Sequence, residues 1–376
     1  MLLKNARVFH ADYHFEKADV RIENGRILEV APIIAGAGED LSGKTLIPGL
    51  CDIHSHGCVG GDWSRPDPES YRKMSRFYAK NGITALCATT MSLPAAELEK
   101  IMAALGRFSE EEVPGGTRII GINMEGPFFS KKKKGAQAEE NIIDPDIGLF
   151  HKLQSLSGGK IRLCDIAPEL PGADEFIQEV KKEAVISIAH TDADYETARH
   201  ALCIGASHAT HLYNAMTLLV HRAPGVVGAV LESKEAVAEL ISDGIHLHPA
   251  AIRLTFSILG DGKIALISDS MEACGMPNGE YELGGQPVTV CDGRATLHDG
   301  TIAGSATNLF TCMRRAISFG VPAEEAVRAA TCAPAESIGI RDTGKIAPGY
   351  MADLCLTDEE LRLQRVWVRG REIECG

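Results

Sequence analysis

Two histidines, His54 and His56, stand one residue apart in the stretch PGLCDIHSHG, at the end of a short apolar run. In an extended strand alternate side chains share a face, so both imidazoles point the same way. Two imidazoles side by side at a strand end make half of a metal site. An isolated H-x-H is more often a core histidine next to a loop histidine, so the reading turns on what meets the pair. Further along, other apolar runs end in residues of ligand or base type: Glu125 in GINMEGP, His190 in VISIAHTDA, His211 in SHATHLYNAM and Asp269 in IALISDS. Each has a plain alternative by itself, such as His190 or Asp269 capping a following helix. Four histidines and two carboxylates, all at the ends of apolar runs, are hard to assign to packing.

The residue types suit a divalent Zn, Fe, Co or Mn ion and leave a coordination position for water. Water on such an ion reaches a pKa of about 7 and becomes a nucleophile at neutral pH. A carboxylate that the metal does not absorb can take the proton and return it, and Asp269 is the candidate. The chemistry is that of a metal hydrolase.

These residues need a frame that brings strand ends together. Apolar runs at 50–53, 84–89, 119–124, 161–166, 185–189, 206–210, 237–242 and 264–268 alternate with helical stretches such as DPESYRKMSRFYAKNG and DADYETARHALCIGA. That alternation predicts parallel α/β architecture, and eight strands close a (β/α)8 TIM-like barrel whose C-terminal face collects all six residues. Both chain ends read instead as short strands with turns, the first marked by Asn24-Gly25. They predict a small β-sandwich domain from 1–47 and 346–376, beside a catalytic barrel over 48–345. Segment 281–303 reads as two short hairpin-like strands that either border the site or decorate the barrel, and 126–141 as a candidate lid hinged at Gly126 and Gly135.

Composition narrows the partners. With 45% hydrophobic and 24% charged residues among 376 the chain reads as globular. A net charge of −13 argues against nucleic acid or an anionic membrane, though a local Arg or His pair still permits an anionic small substrate. Eleven scattered cysteines without C-x-x-C, no signal-peptide core and no bilayer-length apolar run predict a cytoplasmic protein. The lysine run 131–134 is read as a solvated loop.

The segments IPGLCDIHSHG, MEGPFFSKKKKGAQ, AHTDADYETARHALCIGASHATHLYNAM, HRAPGVVGAVL, LISDGIHLHP, ISDSMEACGMPNGEYELGG and AGSATNL resemble the N-acetylglucosamine-6-phosphate deacetylase branch of the amidohydrolase superfamily. GKIAPGYMADLCL is similar to the superfamily's second-domain return, so the resemblance spans nearly the whole chain. It implies Glu125, His190 and His211 as ligands of a principal metal. It implies His54 and His56 as ligands of a second metal, bridged by Glu125 and with Asp269 close by, so one or two ions per subunit. It implies Asp269 as the base that later protonates the amine. It implies Asn214, Ala215, Arg222 and His246 as sugar-phosphate contacts, with Arg222 and His246 reaching in from the neighbouring subunit of a homodimer. A phosphate dianion needs fixed positive charge, and the Arg222 fork matches it.

Two positions depart from the family pattern. Gln137 replaces a histidine that polarises the acetyl carbonyl in other members; its amide can donate to the oxyanion but carries no charge. Asn123 stands where G-x-H-x-E-G-P is usual and shares a strand face with Glu125. The expected reaction is removal of the N-acetyl group of N-acetylglucosamine 6-phosphate, with the galactosamine epimer or another N-acyl amino sugar as the alternative. Cyclic-amide hydrolysis is disfavoured, because IRLCDIAPE ends without the bridging lysine those enzymes use. A non-catalytic metal-binding barrel scaffold would be expected to have lost ligands, and all six are present.

Overall fold

The structure is a computed structural model that describes residues 1–260 and 262–373. Eight strands, β1 (Leu50–Ser55), β2 (Ile83–Thr89), β3 (Arg118–Met124), β4 (Ile161–Ile166), β5 (Val185–Ile188), β6 (His208–Ala209), β7 (Val237–Ile241) and β8 (Ile264–Ile267), lie side by side in chain order. Every neighbouring pair is parallel. A helix separates each strand from the next, from Pro68–Lys80 after β1 to Pro249–Leu259 before β8. The strands are buried on both faces, which is why they read as near-continuous apolar runs rather than alternating ones.

The ring closes just beyond the strand ends. Ser55 bridges Ser270 in parallel, and the Asp269 N–H donates to the His54 carbonyl at 3.0 Å. Closure therefore runs through residues of the expected site. Each predicted strand is found, with shifted ends. β1 continues through His54 to Ser55, and β6 is only two residues long. Both β5 and β6 give way to left-handed backbone at His190 (φ 42°) and His211 (φ 32°). Such conformations cost about 1–3 kcal/mol each in a non-glycine residue and persist where the surroundings demand them.

The helix Pro68–Lys80 begins where Asp67 caps the Glu69 N–H and proline fills the first turn. It turns Tyr71, Met74 and Tyr78 inward. The Tyr78 hydroxyl donates to the Gly57 carbonyl at 2.6 Å and bonds the Ser55 and Ser270 hydroxyls at 2.5 and 2.9 Å. One buried phenol thus clamps both flanks of His56 and the residue after Asp269.

The chain ends meet in one mixed sheet of eight strands. Thr45–Pro48 joins Leu2–Phe9 on one side and Leu354–Thr357 on the other. Leu3, Val8, Val20, Leu46, Leu354 and Trp367 fill a core separate from the barrel's. Gly49 then leads into β1 with no room for a side chain, since a Cβ there would lie 2.1 Å from the Thr84 hydroxyl. Arg118, opening β3, pairs with Asp353 at 2.7 Å, and Asp353 also accepts the Arg369 N–H at 2.7 Å. Both partners are largely buried. Asp353→Ala leaves that guanidinium without its counter-charge and is expected to lower unfolding stability by about 3 kcal/mol, read by urea denaturation.

After β8, Gly279–Leu283, Gln286–Cys291 and Arg294–Thr296 form a three-stranded antiparallel sheet, one strand more than expected. Among the described residues, no helix is long and apolar enough to cross a membrane.

Candidate metal centre and substrate cleft

Glu125, one residue beyond β3, sits at the centre of the cluster. Its Oε1 lies 3.2 Å from both His190 Nε2 and His211 Nε2, which are themselves 3.2 Å apart. On the other side, Glu125 Oε1 is 3.5 Å from His54 Nε2, and its Oε2 is 3.4 Å from His56 Nε2. Asp269 Oδ1 closes that half at 3.6 and 3.3 Å from the same two nitrogens. Two ligand groups result, His54–His56–Glu125 and Glu125–His190–His211, sharing one carboxylate. All these residues are buried.

The donors fit a cation. His190 Nδ1 donates to the Lys133 carbonyl at 2.9 Å, which directs its Nε2 lone pair at Glu125 and His211. His54 Nδ1 faces the Glu239 carboxylate at 3.0 Å, leaving Nε2 buried and without a hydrogen-bond partner. Bonds of about 2.0–2.1 Å at tetrahedral angles hold ligand atoms about 3.3 Å apart, the spacing seen around Glu125. Electrostatics agree. Burial pulls the His54 and His56 imidazoles down, but Glu239, Glu125 and Asp269 outweigh it at His54, and Asp269 and Glu125 outweigh it at His56, holding both above their ordinary value. Burial raises the Glu125 carboxyl, and hydrogen bonds from His190 and His211 with the charges of His54 and His56 take it well below the usual range. The carboxylates demand positive charge, which a divalent ion supplies in place of protons.

The cluster floors a cleft of about 370 Å³. Gln137, Asn214, Ala215 and His246 line it, and Leu283, Thr301 and Ile302 border it from the three-stranded sheet and the segment after it. Ala215 holds a left-handed backbone (φ 51°), and its carbonyl accepts the Thr191 N–H at 3.1 Å. The Asn214 amide donates to the His211 carbonyl at 3.0 Å. A groove of about 950 Å³ lies at the other end of the barrel, where β3 begins, and contains none of these residues.

Three expectations need revision. His246 lies in its own chain's cleft, its side chain 5% exposed and its Nδ1 2.8 Å from Asp243 Oδ2, so this chain supplies it rather than a neighbour. Arg222 is not one of the three: it is exposed and lies outside its own chain's cleft. The Gln137 Nε2 donates to Glu125 Oε2 at 2.8 Å while its Oε1 accepts the Ser92 N–H at 2.8 Å, so its amide is engaged in holding Glu125. The lysine run is not merely solvated: Lys132 and Lys133 line the cleft, because the Ser130 N–H donates to the His190 carbonyl and Gly135 packs beside the His190 ring in a left-handed backbone (φ 55°), where a Cβ would lie 3.1 Å from that ring. Asn123 is buried and donates to the Ile53 carbonyl at 3.2 Å, bracing β1 just before His54.

The amidohydrolase family profile matches residues 45–373. The chain belongs to the amidohydrolase family. Members of this family are metal-dependent hydrolases. The chain is 36% identical to an N-acetylglucosamine-6-phosphate deacetylase of Lysinibacillus sphaericus, over 99% of this chain and 97% of that one. It is 33% identical to an N-acetylgalactosamine-6-phosphate deacetylase of Escherichia coli O157:H7, over 98% of each. Among solved structures, a mutant N-acetyl-D-glucosamine-6-phosphate deacetylase of Mycobacterium smegmatis in complex with N-acetyl-D-glucosamine-6-phosphate superposes with a TM-score of 0.94. It is 31% identical, over 99% of this chain and 98% of that one.

This amidohydrolase also carries functional neighbours that sequence reading missed. Glu239 in β7, Asp165 in β4 and Asp52 in β1 form a buried acidic layer beneath the cluster. Burial, with the charges of Glu239 and Glu125, pushes the Asp165 carboxyl well above its usual range, and burial takes Asp52 to about 7. The signal available was a Glu or Asp inside an otherwise apolar run, as in VAELIS and IRLCDI. Because Gln137 supports Glu125, Gln137→Ala is expected to weaken metal binding about 10-fold and lower turnover with it, read by chelator competition.

Proposed function

We propose that the chain hydrolyses the N-acetyl group of N-acetylglucosamine 6-phosphate, giving glucosamine 6-phosphate and acetate. The observation that carries the reading is the convergence of two ligand groups on Glu125 with Asp269 Oδ1 beside them, at the floor of one cleft. Near-full-length similarity to deacetylases of that substrate supports it. The relative that acts on the galactosamine epimer makes that sugar the second reading.

Glu125, His190 and His211 would hold the principal ion, and His54, His56, Glu125 and Asp269 a second. A divalent ion supplies Lewis acidity to the acetyl carbonyl and makes water a better nucleophile at neutral pH. Asp269 takes the proton from the attacking water as the new C–O bond forms. It then returns that proton to the nitrogen as the C–N bond breaks, so the amine leaves neutral beside acetic acid, whose remaining proton passes to the amine or to solvent to give acetate. Burial raises the Asp269 carboxyl, and the His56 contact with the His54 and His56 charges brings it below its usual value, so it enters the reaction ionised. His246, raised above its ordinary value by the Asp243 carboxylate against the pull of burial, offers positive charge to the sugar phosphate. Asn214 and Ala215 contact the sugar.

Arg222 would reach the phosphate of a neighbouring subunit. Its loop exposes Leu218, Leu219 and Val220, each more than half accessible, a surface that a second copy would cover. The test is acetate release from N-acetylglucosamine 6-phosphate, its unphosphorylated form and the galactosamine epimer, with light scattering on the same sample. Turnover confined to the phosphorylated glucosamine compound by a dimer is expected. Turnover only on the epimer makes the second reading correct, and none on any of the three sinks both.

A further inference from the structure

The interior of a (β/α)8 barrel is normally filled by branched apolar side chains. Here Glu239 occupies β7, in the run VAELI, and is fully buried. A buried carboxylate costs several kcal/mol unless it is paired and hydrogen-bonded. Among the described residues, its ion-pair contacts are both histidines: His54 Nδ1 at 3.0 Å from Oε2, and His208 Nδ1 at 3.9 Å from Oε1. Burial holds His208 at about 4, so it stays neutral and offers no counter-charge at pH 7. The pair that matters is therefore Glu239 with His54. A leucine would serve packing equally well, so a carboxylate here needs another reason.

Two contacts supply it. The first acts through the His54 ring: a carboxylate on Nδ1 keeps the hydrogen there and aims Nε2 between Glu125 Oε1 and Asp269 Oδ1. The second acts through the chain: the same Oε2 accepts the backbone N–H of His211 at 3.3 Å, at the residue whose left-handed φ turns its ring toward Glu125. One oxygen thus touches one ligand from each group.

We propose that Glu239 is a positioning residue that governs filling of the His54–His56 metal position. The inference rests on the two-metal reading above. His54 depends on Glu239 for its ring hydrogen and rotamer. His211 takes only one backbone contact from it, and its ring is held independently by Glu125 and His190. Loss of Glu239 therefore falls unequally on the two positions.

The experiment titrates metal-free wild type, Glu239→Gln and Glu239→Ala with Co²⁺ against a competing chelator, following visible absorption and metal per chain. The expected result is two ions in the wild type. The second ion should bind about 10–100-fold more weakly in Glu239→Ala and less so in Glu239→Gln, whose side-chain oxygen still accepts from Nδ1. The first ion should stay within about twofold of wild type, a split that a general loss of structure would not give. Should Glu239→Ala fail to fold, Glu239→Gln carries the comparison. Unchanged binding of the second ion in the variants overturns the role of Glu239 while leaving the two-metal reading intact, and so does equal weakening of both ions. A wild type that binds one ion at saturating Co²⁺ overturns the two-metal reading and this inference together.

Discussion

Asp269→Asn is expected to lower kcat by a factor on the order of 10³ while leaving the fold and the principal metal in place. Asparagine is the informative choice because Asp269 holds a left-handed backbone (φ 48°), which Asn tolerates better than most residues. Its main chain is anchored from both sides: the N–H donates to the His54 carbonyl at 3.0 Å, and the carbonyl accepts the Ser305 N–H at 2.7 Å. The substitution therefore keeps the shape and removes the basic oxygen 3.3 Å from His56. Proton transfer is needed twice, from water and to the leaving nitrogen, so both steps lose their partner. Steady-state acetate release, substrate affinity by calorimetry and elemental analysis separate the outcomes. Retained affinity with lost turnover is the expected pattern. A variant with near-normal kcat would remove Asp269 as the base.

Glu125→Ala should be more damaging still, because Glu125 is the one member common to both ligand groups. Its loss removes the oxygen 3.2 Å from His190 and His211 and the one facing His56. The four imidazoles would then face one another without the carboxylate that balances a divalent ion. Metal content is expected to fall to trace levels. Several kcal/mol of transition-state stabilisation goes with it, a loss on the order of 10³-fold or more. Glu125→Gln keeps the volume and tests charge separately. Full metal occupancy in Glu125→Ala would mean that the two histidine pairs bind without it, and the shared-carboxylate arrangement would be wrong.

The histidine and acidic site residues could be found because each stands at the end of an apolar run. In a parallel barrel all such ends meet on one face whatever the intervening helices do. The same logic located all eight strands to within a few residues. It could not foresee the left-handed backbone at His190 and His211, which answers to neighbours distant in sequence. Nor could it say what Gln137 does: a glutamine in a loop is an oxyanion donor or a support depending on whether its amide faces open space or, as here, Glu125 Oε2.

By itself, then, the sequence determined the kind of barrel, the metal-ligating residue types and the carboxylate suited to move a proton, since these follow from periodicity and side-chain chemistry. Only the tertiary structure decided which atoms face each other. It put Glu125 between two histidine pairs and Glu239 behind His54. It put His246 in its own chain's cleft and Arg222 outside it, and the Tyr78 hydroxyl on both flanks of His56. The physical reason is that hydrogen bonds and ion pairs depend on distances of about 3 Å. Those distances are set by closure of the ring between β1 and β8 and by side chains far apart in sequence, 65 residues for Glu125 and His190 and 185 for His54 and Glu239, which no local pattern encodes.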